Sequence, residues 1–219
     1  MVATMIPVEQ AAQTVILRNV SWPLYQQLLA EKQDSGNPRF AYNRGTLEIT
    51  MPSFEHEQIN RSLSDIFGAL ADELEIDFIN GGSTTFDRED LEQGFEPDTC
   101  FYIQRAEAVR GQTQIDLKID PPPDLVIEID ITHPSLNKFP IFTGLGIPEV
   151  WRYHKGRLTI FHLENDEYHE QPVSSALPCV TGEELTRLIV ASRQLKRAEW
   201  LREVRDWAQR LKAQGRSNV

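Results

Sequence analysis

Four carboxylates and one lysine near the middle of the chain have residue types and a spacing suited to metal-assisted chemistry. Asp98 and Asp124 each follow a proline and open a predicted strand, EPDTCFYI and PDLVIEIDIT. Further along the second strand Glu128 and Asp130 alternate with isoleucine, so they share its polar face. Lys138 follows at the start of a predicted helix. Mg2+ binds one or two carboxylates, waters and phosphate oxygens, so this set predicts hydrolysis of a phosphodiester with a bound metal.

These carboxylates do not support that chemistry equally. Pro-Asp is a common turn dipeptide, so Asp124 has a structural explanation at the start of its strand. Glu128 lies in mid-strand between isoleucines, where an unpaired carboxylate is unfavourable and a metal ion or a basic side chain is the expected partner. We therefore expect Asp98 and Glu128, on neighbouring strands, to hold the metal. Lys138 would orient the attacking water or help to deprotonate it, and would stabilise charge on the phosphate.

The strand PDLVIEIDIT must lie at the centre of the fold, because its second face is entirely aliphatic and needs a core. That face consists of Leu125, Ile127, Ile129 and Ile131. The coarse order along the chain is helix, hairpin, helix, three strands, helix, hairpin and further helices, which predicts an α/β or α+β sheet with helices packed against it. The first hairpin, over residues 39–51, is mostly scaffold, although its Glu48 could point toward a site.

Two predicted helices must bring side chains to this sheet. The first begins after Ser53, a favourable N-cap, and shows an apolar stripe to about residue 77. His56 lies in its first turn and has two interpretations, either a solvated residue or one that faces the cleft. Asn137 is the expected cap of the second helix, which begins at Lys138.

The length of 219 residues fits one domain with a substantial core. We divide the chain into a short lead over residues 1–20, a main domain over residues 21–190, and a C-terminal helix and tail over residues 191–219. That last helix is expected to begin at Ser192 and carries an apolar stripe, which is more typical of a packing helix than of a DNA-binding arm.

The net charge of −11 argues against non-specific binding to nucleic acid, because phosphate contacts need Lys and Arg. No apolar run approaches the roughly 20 residues that span a bilayer, so no membrane partner is expected. The N-terminus lacks the basic and apolar regions of a secretory signal. The two cysteines have no metal-ligand spacing and are weak support for export. These features predict a cytoplasmic protein.

Three separated segments match one known family in order: EPDTCFYI, then PDLVIEIDIT, then KFPIFTGLGIPEVW. Over residues 22–163 the chain resembles the putative restriction endonucleases of the Uma family, which belong to the PD-(D/E)XK nuclease superfamily. The resemblance implies a restriction-endonuclease-like core, with a mixed central sheet flanked by helices, and a Mg2+- or Mn2+-dependent endonuclease that acts on DNA. In that superfamily the Asp of PD and the acid of (D/E)XK bind the metal, which carries over to Asp98 and Glu128. His56 matches a histidine often seen at the start of the family's first long helix.

The chain departs from the superfamily pattern at one position. The (D/E)XK lysine should lie two residues after Glu128, where this chain has Asp130. The resemblance implies that the lysine has moved to the following helix, which makes Lys138 the substitute. Asp130 would then add a third metal ligand or pair with Lys138.

Two functional hypotheses follow from this departure. The first is an active endonuclease, and the second is a degenerate nuclease core that serves as an interaction scaffold, which the Asp130 substitution and the acidic charge favour. A homodimer is expected with the first hypothesis, because duplex DNA has two-fold symmetry and the chain offers edge strands and an apolar C-terminal stripe.

Overall fold

The computed structural model describes residues 13–32, 36–131 and 136–217, with side chains up to residue 213. The strands are β1 Gln13–Arg18, β2 Arg39–Asn43, β3 Thr46–Met51, β4 Ile79–Gly82, β5 Phe86–Arg88, β6 Gln93–Phe95, β7 Thr99–Tyr102, β8 Leu125–Asp130, β9 Glu149–His154, β10 Arg157–Glu164 and β11 Glu167–Gln171. The α-helices are α1 Trp22–Lys32, α2 Phe54–Leu74, α3 Ala106–Val109, α4 Phe139–Leu145, α5 Gly182–Ser192 and α6 Arg197–Ser217.

The strands form two sheets. The first is antiparallel, with the order β1-β3-β2-β6-β5, and the second has the order β11-β10-β9-β8-β7-β4. Strand β8 lies inside the second sheet, antiparallel to β7 and parallel to β9, with helix α4 in the crossover between the parallel pair. The predicted mixed central sheet flanked by helices is confirmed.

Both faces of β8 are buried, which explains its nearly continuous aliphatic sequence. Leu125, Ile127 and Ile129 pack into a core cluster with residues of α2, α5 and α6. Val126, on the opposite face, packs with Phe142 and other residues of α4. Glu128 shares this second face and is therefore covered by the protein.

Helix α2 places its first turn beside the N-terminal end of β7 in the central sheet. Ser53 caps it as predicted, with its hydroxyl accepting a hydrogen bond from the His56 backbone N–H at 3.2 Å. The helix ends at Leu74, a few residues before the predicted end, because Glu75 adopts a left-handed conformation with φ of 59° and closes the last turn. The apolar stripe of α2 packs into the core next to α6.

The C-terminal region differs from the prediction in its helix boundaries. Ser192 ends α5, and α6 begins at Arg197. The apolar stripe of α6 lies in the core of the same chain, where the Trp200 indole N–H donates to the Leu188 carbonyl at 2.9 Å. This stripe is therefore part of the main domain's core and offers no surface to a second copy.

The predicted N-terminal lead also contains a structural element. Strand β1, within residues 1–20, pairs with β3 at the edge of the first sheet. Residues 1–12 of that lead, and the His133-Pro134 pair after β8, lie outside the described residues. None of the helices in the described part of the chain has the length and apolarity that a membrane span requires.

Candidate active site

The register of β7 against β8 brings the two expected metal ligands opposite each other. Thr99 pairs with Ile127 in this antiparallel ladder, so Asp98, directly before β7, is across from Glu128. Cys100 and Val126 belong to one core cluster, and the two-residue period of a strand puts Asp98 and Glu128 on that same face. Both carboxylates are buried, with exposures of 5% and 4%. The Ile129 N–H donates to Asp98 Oδ2 at 2.6 Å and fixes its position.

Lys138 reaches this pair from the start of α4. It is the N-cap of the helix, which begins one residue later than predicted, and the Asn137 side chain accepts a hydrogen bond from the Phe139 N–H at 3.2 Å. Lys138 Nζ forms an ion pair with Glu128 Oε1 and lies 3.6 Å from Glu48 Oε1 on β3. Lys138, at the start of α4, therefore lies in contact with Glu128 of β8, as expected.

The charge states of Lys138 and Glu128 follow from their burial and from the charges around them. Burial disfavours the ammonium form of Lys138, but the carboxylates of Glu128 and Glu48 outweigh it and raise the pKa of Lys138. Burial also raises the pKa of Glu128, and the Lys138 cation opposes that rise. Lys138 is thus a cation at neutral pH, suited to orient a water or a phosphate oxygen and not to accept a proton from the water.

A second cation, Arg39 at the start of β2, meets Asp98. Its guanidinium forms an ion pair with Asp98 Oδ1 and another with Glu57 Oε1 at 2.9 Å. Sequence reasoning missed Arg39. A buried aspartate needs a cationic or hydrogen-bonding partner, so the sequence does indicate that one exists. Nothing in the residues near Asp98 indicates which of the 22 Lys and Arg residues forms the ion pair.

His56 faces the cleft, which is the second of the two interpretations left open by its sequence position. It is 4% exposed, and its Nε2 lies 3.1 Å from Asp98 Oδ1. Burial, followed by the charges of Arg39 and Lys138, lowers the pKa of His56 to about 3. A neutral imidazole can donate its Nε2–H to Asp98 and so hold the carboxylate in place.

The lowered pKa of His56 makes the chain less stable in acid. An unfolded histidine binds a proton near pH 6.5, so the unfolded state binds more protons between pH 6.5 and about 3, and stability is lost as the pH falls through this window. Between about pH 7.5 and pH 5 we expect this group to lower the free energy of unfolding by about 2 kcal/mol. Urea unfolding of wild type and His56→Gln at both pH values measures the difference, and the drop should be smaller in the variant.

Glutamine is the suitable replacement because its amide can still donate a hydrogen bond to Asp98 but does not titrate. His169→Gln, at an exposed position on β11, controls for the loss of a histidine as such. Equal drops for wild type and His56→Gln would contradict a buried neutral imidazole at this position.

Two further carboxylates of the predicted set have other partners. The structure does not bring Asp124 to the site: its Oδ2 accepts hydrogen bonds from the backbone N–H groups of Ile103 and Arg105 at 2.7 and 3.0 Å. It therefore organises the turn after β7, as the Pro-Asp turn chemistry allows. Asp130 pairs with Arg152 of β9, Nε to Oδ2 at 2.6 Å, and not with Lys138 as one expectation had it.

Among the described residues of the cluster, carboxylates outnumber cations, which suits a divalent cation. In this part of the chain the three buried carboxylates Glu48, Asp98 and Glu128 face the two cations Arg39 and Lys138. Within the described residues, Glu128 Oε2 is buried without a hydrogen-bond partner, which costs free energy unless a cation or donor meets it. No three His, Cys, Asp or Glu side chains of this part of the chain form a ready-made metal cage. Mg2+ needs only one or two carboxylates beside water and phosphate oxygens, so Asp98 and Glu128 fit it.

Comparison with known proteins adds a family to this geometry. The family model described as "Uma2: Putative restriction endonuclease" matches residues 22–194, which include every residue of the cluster. No curated protein gives a significant match. Among solved structures, the crystal structure of a putative nuclease belonging to DUF820 from Anabaena variabilis ATCC 29413 is similar, with a TM-score of 0.49 and 15% sequence identity over 73% of this chain and 96% of that chain.

Proposed function

This chain belongs to the Uma2 family of putative restriction endonucleases, and we propose that it is a Mg2+-dependent endonuclease that hydrolyses phosphodiester bonds of DNA. One observation carries the proposal. An acid from each of two adjacent strands, Asp98 and Glu128, lies on one face of the sheet, and Lys138 from the next helix forms an ion pair with the second acid. These are the parts that metal-assisted hydrolysis of a phosphodiester requires.

Each residue of the cluster has a separate role in the proposed reaction. Asp98 and Glu128 would hold the Mg2+, which when bound polarises the phosphate and activates a water. Lys138, as an ammonium, donates hydrogen bonds that orient the attacking water and stabilise charge on the phosphate oxygens. His56 positions the Asp98 carboxylate through its Nε2 at 3.1 Å. Arg39 balances the charge of Asp98 and can share its other nitrogens with Glu57, 2.9 Å away.

The position of Lys138 bears on the scaffold alternative. A degenerate nuclease core would have no reason to keep a buried lysine against Glu128, because burying both charges costs solvation free energy. Lys138 Nζ nevertheless lies between Glu128 and Glu48, with only 18% of its side chain exposed. This arrangement supports an active enzyme.

Cleavage and metal binding test the proposal together. The purified chain is incubated with supercoiled, linear duplex and single-stranded DNA and with RNA, in Mg2+, Mn2+ or EDTA, and Mn2+ binding is measured by calorimetry for wild type and Glu128→Ala. We expect DNA to be nicked or cut only with a divalent metal, and Mn2+ binding to be lost in the variant. No cleavage with any metal, together with Mn2+ binding that is absent or unchanged in Glu128→Ala, would support the scaffold instead.

Two finer proposals accompany this one. We also propose a homodimer, because its two-fold symmetry would match that of duplex DNA, and sedimentation analysis with and without DNA would detect it. The α6 stripe is internal, which leaves the sheet edges as the contact to test. We also propose that the reaction takes place in the cytoplasm, where free Mg2+ is available.

A further inference from the structure

A cavity of about 450 Å³ adjoins the active site on the α4 side of the sheet. Its lining includes Glu128 and Lys138 of the proposed reaction centre together with Asp130, Phe139 and Arg152. The volume lies within the range of pockets that hold small organic ligands. The cavity therefore offers space for a group the size of a nucleotide directly beside the proposed reaction centre.

Arg152 contributes a planar guanidinium to the wall of this cavity. Its guanidinium carbon lies 5.7 Å from the centre of the Phe139 ring, and its Nε donates to Asp130 Oδ2 at 2.6 Å. These two contacts hold the guanidinium over the ring. Among the described residues, its two terminal nitrogens have no hydrogen-bond acceptor, so they remain able to donate to a ligand.

Phe139 in turn is backed by other aromatic rings. Its ring centre lies 5.1 Å from those of Phe161 and Tyr168 and 6.1 Å from that of Phe142. A ring packed on several sides in this way moves little, so the Arg152 plane that lies over it is held at a defined place. Arg152 over Phe139 is therefore a preformed stacking platform in the cavity wall.

The polar groups around the platform favour a nucleobase over a phosphate. The Asp130 carboxylate lies beside the Arg152 guanidinium and would repel an anion there, whereas the Lys138 ammonium beside Glu128 would attract a phosphate. Asn137 uses its Oδ1 to accept from the Phe139 N–H, and within the described part of the chain its amide hydrogens have no acceptor, so they can donate to a ligand. Donors from Arg152 and Asn137 beside an acceptor on Asp130 match the mixed hydrogen-bonding edge of a base.

We propose that this cavity binds one unpaired nucleobase of the strand being cut, stacked on the Arg152 guanidinium, while its phosphate lies at Lys138. The inference rests on the proposed nuclease function and narrows its substrate. A base that is paired inside a duplex cannot enter a cavity, so the preferred DNA is single-stranded or has a base displaced from the helix.

Binding measurements without cleavage test this inference. Deoxynucleoside monophosphates and deoxyribose 5-phosphate are titrated into the protein in Ca2+ by calorimetry, followed by a single-stranded oligonucleotide and its duplex. We expect the nucleotides to bind at least about fivefold more tightly than the sugar phosphate, since stacking of a base on a planar side chain has a measurable effect on affinity. The single strand should bind more tightly than the duplex by a similar factor.

The variant that isolates stacking is Arg152→Lys, because lysine keeps the charge near Asp130 but has no plane. It should lose the preference for nucleotides over deoxyribose 5-phosphate, while Arg157→Lys, at an exposed position on β10, keeps it. Thermal unfolding confirms that each variant is folded, and Phe139→Leu provides a second test of the platform. The inference would be overturned if wild type bound nucleotides and deoxyribose 5-phosphate with equal affinity. It would also be overturned if Arg152→Lys kept the wild-type preference for nucleotides.

The outcomes also separate this inference from the proposed function. If DNA is cut but Arg152→Lys changes neither nucleotide preference nor the preference for single strands, only the base-binding cavity is wrong. If no DNA is cut but nucleotides bind through Arg152, the cavity is correct and the nuclease function is wrong. Mononucleotide binding thus decides the inference whether or not cleavage is found.

Discussion

Replacing Glu128 with glutamine is expected to lower the rate of DNA cleavage by about a thousandfold or more, with a smaller effect on stability than the Asp98→Asn change. A correctly held metal contributes several kcal/mol of transition-state stabilisation, and a thousandfold loss corresponds to about 4 kcal/mol. Burial raises the pKa of Glu128, so its charged form is disfavoured in the fold, and a neutral amide removes that cost. Lys138 keeps Glu48 as a partner, with 3.6 Å between Nζ and Oε1.

The control for this prediction is the second Pro-Asp carboxylate. Asp124→Asn weakens the hydrogen bonds to the Ile103 and Arg105 backbone, and should cost about 1 to 3 kcal/mol of stability while leaving the cleavage rate per folded molecule unchanged. Single-turnover cleavage and urea unfolding are measured on both variants. If Asp124→Asn lost activity and Glu128→Gln kept it, the assignment of the site would be wrong.

Asp98→Asn should also abolish cleavage, but it differs from Glu128→Gln in stability. Asp98 is the buried counter-ion of Arg39 and accepts the Ile129 N–H at 2.6 Å. Removing one member of a buried ion pair leaves the other uncompensated. We therefore expect loss of activity together with some loss of stability, which the Arg39 contact to Glu57 at 2.9 Å reduces.

Lys138→Met is expected to slow cleavage by about a hundredfold to a thousandfold, because it removes a charged donor aimed at the reacting groups. Mn2+ binding should be kept or become tighter, since Lys138 is no ligand and its charge competes with a cation for Glu128. Single-turnover cleavage and calorimetry separate the two effects. Lys118→Met, whose side chain is 58% exposed, is the matched control and should change neither.

A lysine returned to the superfamily position tests whether Lys138 is the relocated catalytic lysine. Asp130→Lys places an ammonium two residues after Glu128 on the same face of β8. In the Lys138→Met background it should restore part of the lost rate, although Arg152 would then face a like charge. Full activity of Lys138→Met alone would show that the helix lysine has no part in the reaction.

The net negative charge of the chain is compatible with a DNA substrate only if the affinity comes from contacts at the active site and not from long-range attraction to the phosphate backbone. A net charge of −11 gives little attraction for the phosphate backbone at long range. The cations near the reaction centre, Arg39, Lys138 and Arg152, all have carboxylate partners within the described residues. Recognition of a single unpaired base in a preformed cavity would supply affinity that backbone contacts do not.

Several features of the site were predictable from the sequence because they depend on local physics. The period-two alternation of PDLVIEIDIT placed Glu128 on the face opposite its aliphatic neighbours, which lie in the core as predicted, although the structure buries the Glu128 face as well. Ser53 caps α2 as predicted, through a hydrogen bond that spans three residues, whereas the predicted cap of α4, Asn137, lies one residue before the observed cap, Lys138. That Asp98 and Glu128 lie on neighbouring strands was predicted, but the register that sets them opposite each other was not, because strand adjacency does not fix register.

What the sequence by itself determined about this protein is which residues face which side of each strand and helix, together with its family. Only the tertiary structure decided which charges meet: Arg39 and His56 at Asp98, Lys138 at Glu128, and Arg152 at Asp130. It also removed Asp124 from the site, by giving its carboxylate to a turn. The physical reason is the distance along the sequence over which each kind of interaction acts. Periodicity and capping act over a few residues, whereas an ion pair forms wherever packing of the whole core brings two side chains within a few ångströms.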